Sequence, residues 1–175
     1  MENSAINLRN WNAEDAYDLA IIANHRQVAS SLRDNFPFPF SMAHATDFIY
    51  RNSVNKERNI QKAIIYKGKI VGAIGVELKD DIFKYSGELG YWVTPEFWGK
   101  GIATESVKLM VALAFYHLKM NRMYAEVFGN NMASLKILEK CNFEKEGILK
   151  NSIFKDGQFL DCYIFALQNE LNFIS

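Results

Sequence analysis

The sequence predicts a mixed α/β or α+β sheet with helices on both faces. Three observations carry this prediction: β-rich runs dominate the middle of the chain, helix-period segments flank them, and a β-α-β unit lies between residues 88 and 129. The chain has 175 residues, of which 49% are hydrophobic, so it can bury a sizeable core. It shows no repeat, low-complexity tract or linker, and we therefore predict one domain over residues 1–175.

The first third of the chain predicts one strand and two helices. The run "INLRNW" is typical of a short strand. The segment "NAEDAYDLAIIANH" favours a helix, because Asn12 can cap it, acids occupy its first turn and apolar residues recur at helical spacing. The proline-punctuated segment "SLRDNFPFPFSMAHA" is expected to be irregular. Ser41 or His44 then starts a helix that runs to about Asn55.

The remainder predicts six strands and two helices. "QKAIIYKGKIVGAIGVELKDD" indicates a hairpin that turns at "KGK", and "SGELGYWV" is the next strand. A helix is expected near residues 102–119, followed by the strand "RMYAEVFG". The helix "NMASLKILEKC" can be capped by Asn131 and ends near Asn142. The last two strands meet at a turn formed by "DG".

Charge and cysteine content argue against several functions, although a balanced net charge does not exclude a local charged groove. Lys plus Arg and Asp plus Glu both number 20, and this balance gives no general attraction to nucleic acid or anionic membrane. Cys141 and Cys162 have no metal-ligand spacing, so we expect reduced thiols and no metal site. No signal pattern opens the chain, and no apolar run approaches about 18 residues. These features predict a cytoplasmic protein that binds neither nucleic acid nor membrane.

The stretch "TPEFWGKGIATES", residues 94–106, places two glycines around Lys100 directly before a helix. The first N–H groups of a helix lack partners and carry a partial positive charge. Glycines let a ligand approach the main chain, and phosphate oxygens suit such a site. The spacing matches neither a P-loop nor a dinucleotide fingerprint. The glycines alone therefore leave two interpretations open, a plain strand-to-helix turn and an anion site.

The context of this loop resembles the central motif of the GNAT acyltransferases, [QR]-x-x-G-x-[GA], with Trp98, Gly101 and Ala103 at its first, fourth and sixth positions. "NNMASLKILEKCNFEKEG" resembles the family's second cofactor motif. The opening "LRNWNAEDAYDL" and the closing "GILKNSIFKDGQFLDCYIFAL" are similar to the RimJ/RimL branch, which acetylates protein N-termini. The resemblance covers nearly the whole chain. It implies the GNAT fold, with a mixed, mostly antiparallel sheet, and an N-acetyltransferase that uses acetyl-CoA.

Two positions depart from these motifs. Trp98 stands where Gln or Arg is usual, and its side chain cannot make the same polar contact. Asn142 stands where Gly is usual before Phe143. Because Asn tolerates left-handed backbone angles, we expect the helix end to be kept.

The resemblance also implies a cofactor site where a bulged central strand diverges from its neighbour. The main chain of Trp92 and Val93 would meet the pantetheine arm, and Asn131 and Ser134 would lie beside the arm or the thioester. Asn131 as a mere helix cap and Ser134 as a mere small residue are the alternatives. The loop expected to hold the pyrophosphate consists of Gly99, Lys100, Gly101, Ile102, Ala103 and Thr104.

The chemistry implied is direct attack of a neutral amine on the thioester, which needs a base and oxyanion donors. Glu88 is the candidate base, because the branch carries a similar acid there; a salt-bridged edge carboxylate is the alternative. The backbone N–H of Val93 is the expected oxyanion donor. Many family members use a tyrosine as general acid for the departing thiolate, and Leu138 occupies its position here. Either the hydroxyl of Ser134 would replace the tyrosine, or no general acid is needed.

The acceptor is left open by the sequence. A protein N-terminus is implied by the branch, while a polyamine, an aminoglycoside or an amino sugar would need the same chemistry. A non-catalytic CoA-binding module is the alternative from a different class. The loop "NFPFPF" is expected to seal the core with at least one ring, or to wall the acceptor pocket. A homodimer is compatible with the sequence.

Overall fold

The computed structural model describes residues 5–54 and 59–170. Its seven strands form one sheet in the order β1-β2-β3-β4-β5-β7-β6. All neighbouring strands are antiparallel except β4 and β5, which are parallel. The predicted mixed, mostly antiparallel sheet is therefore confirmed. The strands are β1 (Ile6–Asn10), β2 (Asn59–Tyr66), β3 (Lys69–Leu78), β4 (Ser86–Val93), β5 (Arg122–Phe128), β6 (Glu144–Lys155) and β7 (Gln158–Gln168).

Helices cover both faces of the sheet. The helices α1 and α3 pack on each other and against β2 and β3, while α4 and α5 pack on each other and α4 lies against β1, β3 and β4. A π-helical turn over Leu113–His117 continues α4. None of the described helices is long and apolar enough to span a membrane. The helices are α1 (Ala16–Ala23), α2 (Arg26–Ala29), α3 (Met42–Val54), α4 (Ile102–Ala112) and α5 (Met132–Lys140).

Both predicted hairpin turns are confirmed. The turn between β2 and β3 uses Lys67 and Gly68, and the turn between β6 and β7 uses Asp156 and Gly157. All four residues have positive φ, between 47° and 80°. Two consecutive left-handed residues are the geometry whose twist matches that of flanking strands.

The first helical region differs from the prediction. The helix expected through residue 25 ends at Ala23, and the short helix α2 was not predicted. Asn24 breaks the helix, and its side-chain Oδ1 accepts a hydrogen bond from Phe40 N–H at 2.9 Å. This tertiary contact overrides the helical periodicity. The helix α3 follows Ser41 as expected, and its predicted end near Asn55 lies outside the described residues.

The core has one layer on each face of the sheet. Ile74, Met110 and Leu138 are fully buried between the sheet and the pair α4–α5. On the other face the aromatic loop closes the layer under α1 and α3: Phe40 is buried and stacks on Phe36 with ring centroids 4.9 Å apart. The expectation that this loop seals the core is confirmed.

The sheet opens between its two parallel strands. β4 pairs with β5 only over Ser86–Glu88, although β4 continues to Val93 and β5 to Phe128. Each strand leads into a helix, α4 after β4 and α5 after β5. The N-termini of both helices therefore lie at the open end of this gap.

Candidate active site

The strand β4 turns main-chain groups that β3 does not pair toward the gap. Ser86 O accepts a hydrogen bond from Lys79 N–H, just after β3, at 2.9 Å. Thr94 N–H donates to Val71 O of β3 at 2.8 Å. Because the register between them is unbroken, the hydrogen-bonded pairs fall on even-numbered residues of β4. The odd-numbered residues Tyr91 and Val93 therefore direct their N–H and C=O groups into the gap.

This register corrects the contact expected of Trp92. Its main chain pairs with Ala73 of β3 and is turned away from the gap. Tyr91 takes its place beside Val93. The side chain of Trp92 packs against Phe36 on the α1–α3 face, with ring centroids 5.7 Å apart.

Trp98 connects the glycine loop to the end of β4. Its indole Nε1–H donates to Val93 O at 2.6 Å, and half of the residue surface remains exposed. This contact agrees with a Val93 carbonyl that points into the gap. Trp98 thus makes a polar contact within the chain through its indole N–H, the one polar group of an otherwise apolar ring.

The glycine loop offers an array of backbone donors. Gly99 and Gly101 have φ values of 73° and 74°, and Gly101 caps α4. A Cβ built on either glycine would meet no atom within 4 Å, so glycine is required by backbone angle and the space in front stays open. Among the described residues, no hydrogen bond is donated by the N–H groups of residues 99–104. These donors are free to bind an anion.

The Lys100 side chain is directed elsewhere. Its Nζ donates to Glu96 O at 3.1 Å and lies 4.7 Å from the centroid of the Phe97 ring. Five of the six loop residues, Gly99 and residues 101–104, line a cavity that passes through the gap between β4 and β5. Lys100 does not line it.

A cavity of about 950 Å³ runs through the gap between β4 and β5. This volume is at the upper end of the range for ligand sites. One end lies against the glycine loop and α5, and the other lies between the segment after α2 and the β6–β7 turn. Its walls include Leu89–Val93, residues 101–104, Ala125–Phe128, Asn130–Ser134, residues 30–32 and residues 155–156.

Asn131 and Ser134 face this cavity from the start of α5. Asn131 Oδ1 accepts a hydrogen bond from Ser134 N–H at 3.1 Å, which confirms the predicted cap. Asn142 ends the same helix with a φ of 63°, so the expected left-handed end is also confirmed. Leu138 is fully buried in the core and presents no hydroxyl.

Tyr91 is a site residue that the sequence analysis missed. Its hydroxyl lies 2.8 Å from Ser134 Oγ, and both residues line the cavity. Burial raises the pKa of Tyr91 well above its usual value, so the phenol stays protonated. The available signal was strand alternation, which puts Tyr91 on the same face as the apolar residues Leu89 and Val93.

Glu88 occupies an ion-pair network beside the gap. Its carboxylate contacts Arg33 Nη2 and lies 3.4 Å from Lys79 Nζ, and the Tyr124 hydroxyl donates to it at 3.4 Å. The side chain is 15% exposed and does not line the cavity. The salt-bridged carboxylate left open by the sequence is what the structure contains.

Glu126 is the carboxylate that reaches the cavity, and sequence reasoning missed it. It lies two residues after Tyr124 on β5, between the buried residues Ala125 and Val127. Its Oε2 accepts from Arg33 Nη2 at 3.0 Å, and its side chain is 38% exposed. A glutamate between two apolar strand positions was the signal that could have found it.

Two other expectations concern cysteine and metal. Cys141 and Cys162 are both buried and free, and burial raises the pKa of each thiol. Within residues 5–54 and 59–170, no group of three or more His, Cys, Asp and Glu side chains is placed to hold a metal ion.

Known proteins resemble this chain over nearly its whole length. The profile of the Acetyltransferase (GNAT) domain matches residues 5–144. The uncharacterised N-acetyltransferase p20 of Bacillus licheniformis is 30% identical over 167 residues, which cover 93% of this chain and 92% of that protein.

Solved structures show the same fold. The RimL ribosomal L7/L12 α-N-protein acetyltransferase in complex with coenzyme A aligns with a TM-score of 0.87 at 16% identity, and the alignment covers 95% of each chain. The spermidine N-acetyltransferase of Vibrio cholerae, in complex with CoA and spermine, aligns with a TM-score of 0.81 at 20% identity over 95% of this chain and 96% of that one. At these identities the likeness concerns the fold.

Proposed function

Because the chain belongs to the GNAT family of acetyltransferases, we propose that it transfers the acetyl group of acetyl-CoA to the α-amino group of a protein or peptide N-terminus. The observation that carries this proposal is the cavity through the β4–β5 gap. Free backbone donors lie at one end of it and a carboxylate, Glu126, reaches it near the other.

The donor end suits coenzyme A. The N–H groups of residue 99 and residues 101–104 would hold the diphosphate, since the start of a helix binds phosphate through unpartnered amides. The main-chain groups of Tyr91 would pair with the amides of the pantetheine arm, as an added strand would, while the Val93 N–H would be left for the thioester. Asn131 at the start of α5 would border the same arm. Trp92 would contribute to the cavity wall and not through its main chain.

When bound, acetyl-CoA supplies a thioester carbonyl that a neutral amine attacks directly. The Val93 N–H is directed to the gap and would stabilise negative charge on the carbonyl oxygen. The Ser134 hydroxyl would donate a hydrogen bond to the departing sulfur, and Tyr91 would hold that hydroxyl in place.

A carboxylate near the gap would take the proton from the amine. Glu88 and Glu126 share Arg33, but only Glu126 borders the cavity. Glu126 would therefore contact the amine or its water directly, and Glu88 would act through that network. Both assignments are proposals that a matched pair of variants can separate.

The acceptor end suits an extended chain. It lies between residues 27–32 and the β6–β7 turn, where Lys155 Nζ is 2.6 Å from Asp34 and Arg26 is 3.5 Å from Asp156. An opening bounded by a loop and a hairpin can admit a peptide terminus.

The test compares turnover on peptides that begin with Ser or Ala with turnover on spermidine. The purified protein is incubated with acetyl-CoA and each amine, and released thiol is followed together with the mass of the product. We expect peptide acetylation on the α-amino group. Faster turnover on spermidine would reassign the acceptor, and CoA-dependent thermal stabilisation without turnover on any amine would indicate a binding module.

A further inference from the structure

We propose that Arg33 determines acceptor specificity: it limits the acceptor end to amines that carry a single positive charge. This inference rests on the proposed function and names the acceptor's charge class. Arg33 lies on the irregular segment between α2 and α3, next to residues 30–32 that line the cavity.

Arg33 joins the two strands at the point where they separate. Its Nη2 contacts Glu88 of β4 and lies 3.0 Å from Glu126 Oε2 of β5. Partial burial lowers the pKa of Arg33, but the two carboxylates together outweigh it and leave the pKa raised, so the guanidinium remains charged. The guanidinium of Arg33 is therefore a fixed positive charge beside the acceptor end of the cavity.

The neighbouring groups leave one net negative charge. Lys79 Nζ is 3.4 Å from Glu88 and 3.3 Å from Glu77. Its pKa is also raised, since Tyr124 and Glu77 outweigh the opposing effect of burial. Three carboxylates thus face two cations. One ammonium group on the acceptor would balance this cluster, whereas the further ammonium groups of a polyamine would be repelled by the nearby charges of Arg33 and Lys79, which do not themselves line the cavity.

Arg33 contributes little to the stability of the fold. Its side chain is 53% exposed, and ion pairs of such exposure stabilise a fold only weakly. Replacement by methionine keeps an unbranched stem of similar length and removes the charged guanidinium end. The cluster would then carry two net negative charges and attract polycations more strongly.

The experiment compares kcat/KM for spermidine and for an otherwise uncharged Ala-starting peptide in four proteins: wild type, Arg33→Met, Arg33→Lys and Arg51→Met. Arg51 lies on α3, is exposed and pairs with Asp47, so it controls for loss of a distant cation. We expect Arg33→Met to raise the spermidine-to-peptide ratio about tenfold at low salt. Arg33→Lys and Arg51→Met should stay within about twofold of wild type. High salt should reduce the effect of Arg33→Met, since the charges are partly exposed.

An unchanged ratio in Arg33→Met, or an equal change in Arg33→Lys, would overturn the inference. Calorimetric titration with spermidine supplies a second arm that needs no turnover: Arg33→Met should bind spermidine about tenfold more tightly than wild type, and equal affinity would contradict the role of Arg33. A wild-type protein that acetylates no amine would contradict the proposed function, while the binding arm would still decide on Arg33.

Discussion

Replacing Gly101 by glutamate should weaken CoA binding far more than it weakens the fold. Gly101 has a φ of 74° and caps α4, directly before the unpartnered N–H groups. A glutamate there would bring a carboxylate to the proposed diphosphate site. Gly101→Ala is the matched control, because it carries the same backbone strain without the charge.

The two costs can be separated in magnitude. A non-glycine residue in the left-handed region costs about 1–2 kcal/mol, and a Cβ at Gly101 would meet no atom within 4 Å, so no clash adds to this. For a chain of this size, that cost lowers Tm by about 2–8 °C in both variants. A carboxylate about 6 Å from a diphosphate adds about 1.4–5.5 kcal/mol of repulsion, depending on the local dielectric. At least about a tenfold loss of affinity follows.

The assay is CoA titration by calorimetry together with thermal unfolding of the free proteins. We expect similar Tm values for the two variants and a CoA Kd at least tenfold weaker for Gly101→Glu than for Gly101→Ala. The difference should shrink in 1 M salt, where screening is strong. Equal Kd values at low salt would refute the assignment of this corner to the diphosphate.

Three further predictions concern the proton path and the fold. Glu126→Gln should lower kcat about a hundredfold, and Glu88→Gln should lower it less, while both leave the CoA Kd nearly unchanged in titrations; an unaltered rate would remove the corresponding residue from the proton path. Tyr91→Phe should lower kcat about three- to tenfold, because the Ser134 hydroxyl loses its 2.8 Å partner. Ser134→Ala added to that variant should cost little more, and fully additive losses would contradict the pairing. A hydrogen bond from Arg9 of β1 lowers the pKa of Asp15 in the folded state. Burial opposes this shift, and a hydrogen bond from a backbone N–H adds to it. The contribution of Asp15 to stability is therefore present above the unfolded value of about 3.9 and lost as pH falls through the lower folded pKa; Asp15→Asn should lower Tm at pH 7, and a Tm difference that persists unchanged at pH 2 would contradict this linkage.

Most of the fold could be predicted from local signals. The two hairpins carry left-handed residues at their turns, Asn131 caps α5 through its side chain, and Asn142 ends the same helix with a left-handed angle. Each of these features depends on residues that are close in sequence. The short helix α2 could not be predicted, because Asn24 ends α1 by a hydrogen bond to Phe40, which is distant in sequence.

The candidate site was predictable at the glycine loop and at Asn131, and not along β4 or on the acceptor side. The glycine loop and Asn131 belong to continuous motifs, so the sequence alone pointed to them. The contact of Arg33 with Glu126 joins residues that are 93 positions apart. The exchange of Trp92 for Tyr91 depended on which residues of β4 bond to β3, and strand alternation of side chains does not reveal that phase.

The separation of β4 from β5 produces both ends of the cavity. Because β5 leaves β4 after Glu88, the main chain of Tyr91 and Val93 loses the partner that a continuous sheet would provide. The same separation leaves Glu126 on β5 without a neighbour on β4, and Arg33 from the opposite loop bridges the opening. Backbone donors thus lie at one end of the cavity, where an anionic ligand would bind, and a cluster with one net negative charge lies near the other end. A long anionic donor and a cationic amine would consequently enter from opposite ends and meet where the strands part, which is the arrangement that direct transfer between them requires.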